Sequence, residues 1–342
     1  MTRSRDDNAG SKIEKARLST AEVYVRRVRF YRYGGPEVLT VEEASVPEPG
    51  VGELLLEVSL AGVTLPVVRL TRGNPDGGGA PLPYAPGGEV VGRVAGIGPG
   101  VTGWTVGQRA AGLAFHGSYA EFAVVSAAPL NPVPDGISDE AAVLLVWGGQ
   151  VALGALGASC LRAGESVLVT AAASGVGHLA VQLARARGAG RVIAAVGPDG
   201  AAAKADALRA LGADQVTDYQ ASDWGAPVDV VLDGAGGTVQ TAGLDALAPF
   251  GRLVSYNGVG GDLDANELRM RSAAVIGFNM AHFARLRPEA YAANQRTLWE
   301  LCLSGELRPL VHRVLPLERA ETAHRIIEAR ENVGRVLLTA QP

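Results

Sequence analysis

The stretch Ser166-Val167-Leu168-Val169-Thr170-Ala171-Ala172-Ala173-Ser174-Gly175-Val176-Gly177-His178-Leu179-Ala180-Val181-Gln182-Leu183-Ala184 constrains the fold more than any other part of the chain. Its apolar start reads as a buried strand, its run of small residues as a tight turn, and the apolar spacing after Gly177 as a helix. A helix that opens at such a turn has backbone N–H groups with no helical acceptor, aimed outward along the axis. They form a seat for an anion such as the pyrophosphate of a dinucleotide. The usual fingerprint places three glycines there. Here Ala172, Ser174 and Gly177 hold those places, with Gly175 and Val176 between the last two. Alanine and serine fit a slightly looser turn, and Gly175 and Gly177 still permit close approach of helix, strand and ligand. Taken alone, the segment is also compatible with an ordinary strand-to-helix turn.

The residues that follow favour the dinucleotide. Arg191-Val192-Ile193-Ala194-Ala195-Val196-Gly197 is a second apolar strand, reached after a helix that ends at Gly188-Ala189-Gly190. Strand, helix and strand over about 30 residues is the unit the fingerprint needs. Further strands are predicted at Val228–Asp233, Gly251–Tyr256 and Ala273–Gly277, with helices over Ala201–Leu211 and Thr238–Leu247. Such alternation predicts an α/β fold with a doubly wound parallel sheet. Ligands bind such sheets at the C-terminal strand ends, which places Asn257, Gly258, Phe278 and Met280 beside the nicotinamide half.

The end of the second strand selects the cofactor. Enzymes that prefer NAD usually carry Asp or Glu there for the ribose hydroxyls. Here the place falls on Ala195-Val196-Gly197, so no carboxylate repels a 2′-phosphate. Lys204 and Tyr219 lie nearby and are both suited to a phosphate, although Lys204 reads equally well as a solvated charge on a helix face, and Asp199 shares the loop. The cofactor expected is NADPH.

From about Arg27 to the end the chain resembles the zinc-independent quinone oxidoreductase branch of the medium-chain dehydrogenase/reductase superfamily. The resemblance rests on Tyr33-Gly34-Gly35-Pro36-Glu37-Val38-Leu39, on Leu82 to Gly92, on Gly117-Ser118-Tyr119-Ala120-Glu121-Phe122, on Ala163 to Val169 and on Leu211-Gly212-Ala213-Asp214. It implies a Rossmann domain at 153–286 inserted in a GroES-like β-barrel catalytic domain of residues 27–152 and 287–342, with the active site in the cleft between them. It also implies NADPH-linked reduction of quinones or α,β-unsaturated carbonyls by a homodimer, with Arg335 where relatives often carry a lysine near the cofactor. Met280 and Phe283 then border the seam between subunits. Other readings on this fold are an enoyl or polyketide-tailoring reductase, a redox-neutral catalyst and an NADPH-sensing protein.

A net charge of −4 gives no electrostatic footprint for nucleic acid. The sequence shows no uninterrupted apolar run of about 18 residues, so no membrane span is expected. Residues 1–26 are polar and charged, and read as a flexible arm rather than a secretory signal. Two cysteines, Cys160 and Cys302, suggest a reducing, cytoplasmic setting. Their scarcity also bears on metals. Zinc-dependent relatives place Cys after Gly-Val and His within Pro-Gly-His-Glu. This chain has Thr64 and Gly88 in those slots and lacks a four-cysteine lobe, so no metal is expected.

Without a metal, a carbonyl must be polarised by hydrogen bonds. Thr64 and Gln150 are the candidates, and His116 is a candidate proton donor on a loop facing the cofactor. His178, opening the helix after the phosphate turn, is placed to touch the pyrophosphate. Relatives commonly have Asn at the Thr64 position and an acid at Val67, so the pocket is expected to be less polar than theirs and its proton to come from water.

Overall fold

The computed structural model describes residues 24–73, 79–198, 200–221, 223–225, 227–256, 260 and 262–340. The N-terminal arm to residue 23, Asp199, Asn257 and Gly258 lie outside the described residues. The strands are β1 (Tyr24–Arg29), β2 (Thr40–Ser45), β3 (Glu53–Val63), β4 (Pro86–Ile97), β5 (Arg109–His116), β6 (Phe122–Ser126), β7 (Asn131–Pro132), β8 (Ser166–Val169), β9 (Arg191–Val196), β10 (Gln215–Asp218), β11 (Val228–Asp233), β12 (Leu247–Ser255), β13 (Ala274–Gly277), β14 (Val311–Pro316) and β15 (Arg335–Thr339).

The stretch from β8 to β13 forms a six-stranded parallel sheet in the order β10-β9-β8-β11-β12-β13. Alternate side chains explain why both faces are covered. Val167 and Val169 of β8 enter one core cluster and Leu168 the other. In β9, Val192, Ala194 and Val196 join the first, while Ile193 and Ala195 join the second. A strand apolar at both parities has to be sandwiched by helices, and a period of two sorts its side chains between the two layers. The strand order reverses between β8 and β11, which opens a crevice at their C-terminal ends.

The other strands build a second, mainly antiparallel sheet in the order β14-β15-β3-β4-β5-β7, with β6 also pairing β3. The β3–β4 ladder slips at Leu55/Leu56 and at Val58/Leu60, irregularities that increase the bend of the paired strands. Strand β15 closes antiparallel on β3, so Arg335–Thr339 complete a sheet begun at Glu53–Val63.

Helix α1 (Leu65–Arg72) follows β3, and α2 (Asp139–Ala158) carries the chain from the second sheet to the parallel one. Ser138 caps α2 by accepting the Ala141 N–H at 3.1 Å. By length and composition α2 passes the test for a membrane-crossing helix, contrary to the reading of the sequence. Yet 78% of its most apolar window is buried inside the protein, as expected of a core helix. Its middle, Leu145–Gly149, opens into a π turn. The helices that follow are α3 (Gly177–Ala186), α4 (Ala201–Ala210), α5 (Thr238–Asp245), α6 (Ala265–Arg271), α7 (Met280–Leu286), α8 (Pro288–Leu303) and α9 (Ala320–Glu328).

Candidate active site

A cleft of about 680 Å³ lies where the C-terminal ends of β8, β9, β11 and β12 face β3, β4 and α1. The turn between β8 and α3 forms one wall. Ser174 organises it: its Oγ accepts the Gly177 N–H at 3.0 Å, and its carbonyl accepts the His178 N–H at 3.2 Å. No acceptor among the described residues takes the N–H groups of Gly175 and Val176, both of which line the cleft. These amides suit an anion at the head of α3. A Cβ on Gly177 would stand 2.1 Å from the Ala171 carbonyl oxygen, so only glycine fits between helix and strand. The fingerprint therefore folds as its small residues require.

The end of β9 is open on its cleft side. A Cβ on Gly197 would meet nothing within 4 Å, and Val196, Gly197, Lys204 and Tyr219 line the same part of the cleft. Tyr219 is fixed by accepting the Ala171 N–H at 2.7 Å and by packing against Trp224 with ring centroids 5.7 Å apart. Lys204 is buried, and its Nζ donates to the Arg330 carbonyl at 2.5 Å. Across the crevice, buried Asp233 shapes the turn after β11. It accepts hydrogen bonds from the Thr170 hydroxyl at 2.8 Å and from the Ala235 and Gly236 amides at 3.1 and 3.2 Å. The room beside Gly197, the free amides and the missing β9 carboxylate together fit a phosphorylated dinucleotide.

Arg335 meets Glu89 in the floor of the cleft, with Nη2 2.6 Å from Oε1 and both side chains nearly inaccessible. Burial pushes the Glu89 carboxyl above its usual range, while the Arg335 charge draws it back. The guanidinium lies flat against the phosphate turn, where a Cβ on Gly175 would stand 2.5 Å from its Cζ. Arg335 thus lines the cleft beside the phosphate turn. Glu89 was read from the sequence only as part of the block after Pro86. The signal that could have singled it out is a lone carboxylate leading into the apolar run Val90-Val91.

Thr64 is half-buried at the N-cap of α1; its hydroxyl makes no capping bond, and the residue lines the cleft. Phe278 and Met280 also line the cleft, as expected of residues after β13. The Asn279 side chain turns aside to cap α7, accepting the His282 N–H at 2.9 Å.

Three candidates are not brought to the cleft. Gln150 is fully buried and points to α8, where its Nε2 donates to the Tyr291 carbonyl and to Gln295 Oε1, each at 3.0 Å. Trp147 and Val151 line the cleft in its place, because the π turn rotates the face of α2. His116 is exposed and sets its ring edge-on to Tyr84, with centroids 4.9 Å apart, outside the lining. His178 is fully buried beneath the turn. Its Nδ1 bonds the Ser174 carbonyl at 2.8 Å and its Nε2 accepts the Leu310 N–H at 3.0 Å, so neither nitrogen is available to a pyrophosphate. Desolvation lowers its pKa to about 4.

Among the described residues, no three His, Cys, Asp or Glu side chains gather as a metal site. Thr64 and Gly88 line the cleft where zinc-dependent kin have ligands.

Two family models match the chain, an alcohol dehydrogenase GroES-like domain over residues 50–135 and a zinc-binding dehydrogenase domain over residues 211–338. A probable quinone oxidoreductase of Schizosaccharomyces pombe is 31% identical over 91% of this chain and 96% of its own length. A mycobacterial protein solved in complex with NADPH is 32% identical, with a TM-score of 0.83 over 92% of this chain and 99% of that one. A polyketide synthase of Streptomyces halstedii is 35% identical over 85% of this chain, which corresponds to only 5% of that much longer protein.

Proposed function

The chain belongs to the zinc-independent quinone oxidoreductase branch of the medium-chain dehydrogenase/reductase superfamily, and from that premise we propose that it is an NADPH-dependent reductase of quinones or α,β-unsaturated carbonyl compounds. The observation that carries this reading is the joining of two halves in one cleft. One half ends β9 without a carboxylate, beside Lys204, Tyr219 and the free amides of Gly175 and Val176. The other is walled by Leu65, Val67, Trp147, Val151, Phe278 and Met280, with the Thr64 hydroxyl as its polar handle. The same reading divides the chain into a catalytic part, 27–152 with 287–342, and a dinucleotide-binding part, 153–286. It also makes the protein a cytoplasmic homodimer.

When bound, NADPH supplies two electrons as a hydride from its reduced nicotinamide, leaving NADP⁺. The residues around it do the rest. Gly175 and Val176 would hold the pyrophosphate by their N–H groups, and the Arg335 guanidinium, paired with Glu89, packs beneath that turn. Phe278 and Trp147 exclude water from the reacting carbons. Thr64 donates its hydroxyl proton in a hydrogen bond to the substrate oxygen, which draws electrons away from the conjugated carbon that takes the hydride. A solvent water delivers the balancing proton to the enolate α-carbon or to the quinolate oxygen, since Glu89, the one carboxyl among the described lining residues, is held by Arg335.

The test is NADPH oxidation assayed against a panel of quinones and enones, beside a titration of NADPH binding. Turnover supports the reductase, and tight binding without turnover against any member refutes it in favour of a sensing or redox-neutral role. The match to a polyketide synthase segment favours a second reading, reduction of an enoyl thioester, which belongs in the same panel.

A further inference from the structure

The substrate half of the cleft contains a cation that the proposed chemistry does not use. Arg69 is exposed on α1 and lines the cleft. It lies four residues after Leu65, on the same helix face. Helix α1 has no acidic residue, and its other arginine, Arg72, is held by Glu328 at 2.5 Å. Arg69 has no hydrogen-bond or ion-pair partner among the described residues. The other cations of the cleft belong to the cofactor half: Lys204 and Arg330 meet across its edge, and Arg335 is spent on Glu89.

A neutral quinone makes no use of such a charge. A guanidinium at the rim of an apolar slot presents a planar fork of donors that matches an oxyanion. Thr64 sits at the N-cap of the helix that carries Arg69, five residues on, so the two positions lie about 7.5 Å apart along the axis and about 140° apart around it. This fixes a substrate length. Its reducible carbonyl lies at Thr64, its apolar body runs along Leu65, and its anionic group lies roughly one and a half helical turns away.

We propose that Arg69 is a specificity-determining residue that binds a carboxylate or phosphate carried by the unsaturated carbonyl substrate. The proposal rests on the reading of the cleft as a reductase site and narrows its substrate class to amphipathic anions. The two sources of the anion are a free unsaturated acid and the phosphate of a phosphopantetheine thioester.

The test compares a 4-oxo-2-alkenoic acid with its methyl ester, and a phosphopantetheine enoyl thioester with its dephosphorylated form, in the wild type, Arg69→Gln and Arg69→Lys. One anion of these pairs should be preferred over its neutral twin. Arg69→Gln should cut that preference about tenfold or more through KM, the size of one lost charge-assisted hydrogen bond, and Arg69→Lys should restore part of it. Which pair shows the effect identifies the source of the anion. Calorimetric binding of the saturated 4-oxoalkanoic acid and of the saturated acyl phosphopantetheine provides a readout independent of turnover. If nothing is turned over but either compound binds in an Arg69-dependent way, the reductase reading fails and the anion site stands. If in both pairs the anion and its neutral twin respond equally to Arg69→Gln, and neither saturated compound distinguishes the variants, the proposal is overturned.

Discussion

Protonating His178 should loosen the protein from beneath its phosphate turn. The ring is fully buried with both nitrogens committed, one to the Ser174 carbonyl and one to the Leu310 amide, an arrangement that only the neutral imidazole satisfies. Desolvation places its pKa at about 4 against an ordinary 6.5. The folded state therefore binds the proton less readily than the unfolded chain. Stability from this group is fully present above about pH 6.5 and is lost as pH falls towards 4. The separation of 2.5 units corresponds to at most ~3.4 kcal/mol, of which ~2.5 kcal/mol is lost by pH 4.5. His324, also buried and held at about 4, titrates in the same window, so acid unfolding alone does not isolate His178. The comparison is with His178→Leu. This variant should lose about 1–3 kcal/mol at pH 7, where it forgoes two hydrogen bonds, but it has no proton to bind below pH 6.5. Urea unfolding at pH 7, 5.5 and 4.5, followed by tryptophan fluorescence and far-ultraviolet circular dichroism, measures the gap between the proteins. The gap should shrink by about 2.5 kcal/mol between pH 7 and 4.5. A gap constant to within about 0.5 kcal/mol would refute the argument, because His178 would then not be held neutral by the fold.

The remaining expectations concern the cleft. NADPH should bind at least about tenfold better than NADH, a difference that Lys204→Ala should erase and that titration of cofactor fluorescence measures; equal wild-type affinities refute it. Glu89→Gln leaves the Arg335 charge buried without its partner and should cost about 3–5 kcal/mol in urea unfolding, whereas Glu89→Gln combined with Arg335→Met should recover much of that loss. Thr64→Val should lower kcat/KM by the equivalent of about 1–3 kcal/mol, with NADPH affinity little changed, while Gln150→Ala should lower stability by releasing α8 and leave the reacting groups in place. Dialysis against a chelator should preserve activity, and elemental analysis should find no stoichiometric zinc, because Thr64 and Gly88 offer no ligand where zinc-dependent kin have Cys and His.

What could be read from the sequence was what depends on near neighbours. The strand, turn and helix from Ser166 to Ala184 are decided by residue size and apolar spacing within one segment, and the structure has them in that order. The alternation of strands and helices gave the parallel sheet for the same reason. Side-chain direction is another matter. Gln150 follows a π turn, and one extra residue in a helix rotates every later side chain by about 100°. The resemblance placed Gln150 by its position along the chain, which carries no record of that rotation; the structure has Trp147 and Val151 in the cleft and Gln150 against α8. His178 has the right place in the sequence for a phosphate ligand, but the Leu310 amide that captures it arrives from 132 residues away. Glu89 and Arg335 are separated by 246 residues, and only the closing of β15 on β3 brings the end of the chain into the same sheet as β4. Such pairings follow from topology, and a local pattern carries no trace of them. Among the candidates that line the cleft, Thr64 and the phosphate turn are those whose position is fixed within a few residues, by the helix start at Leu65 and by Ser174 folding back on Gly177.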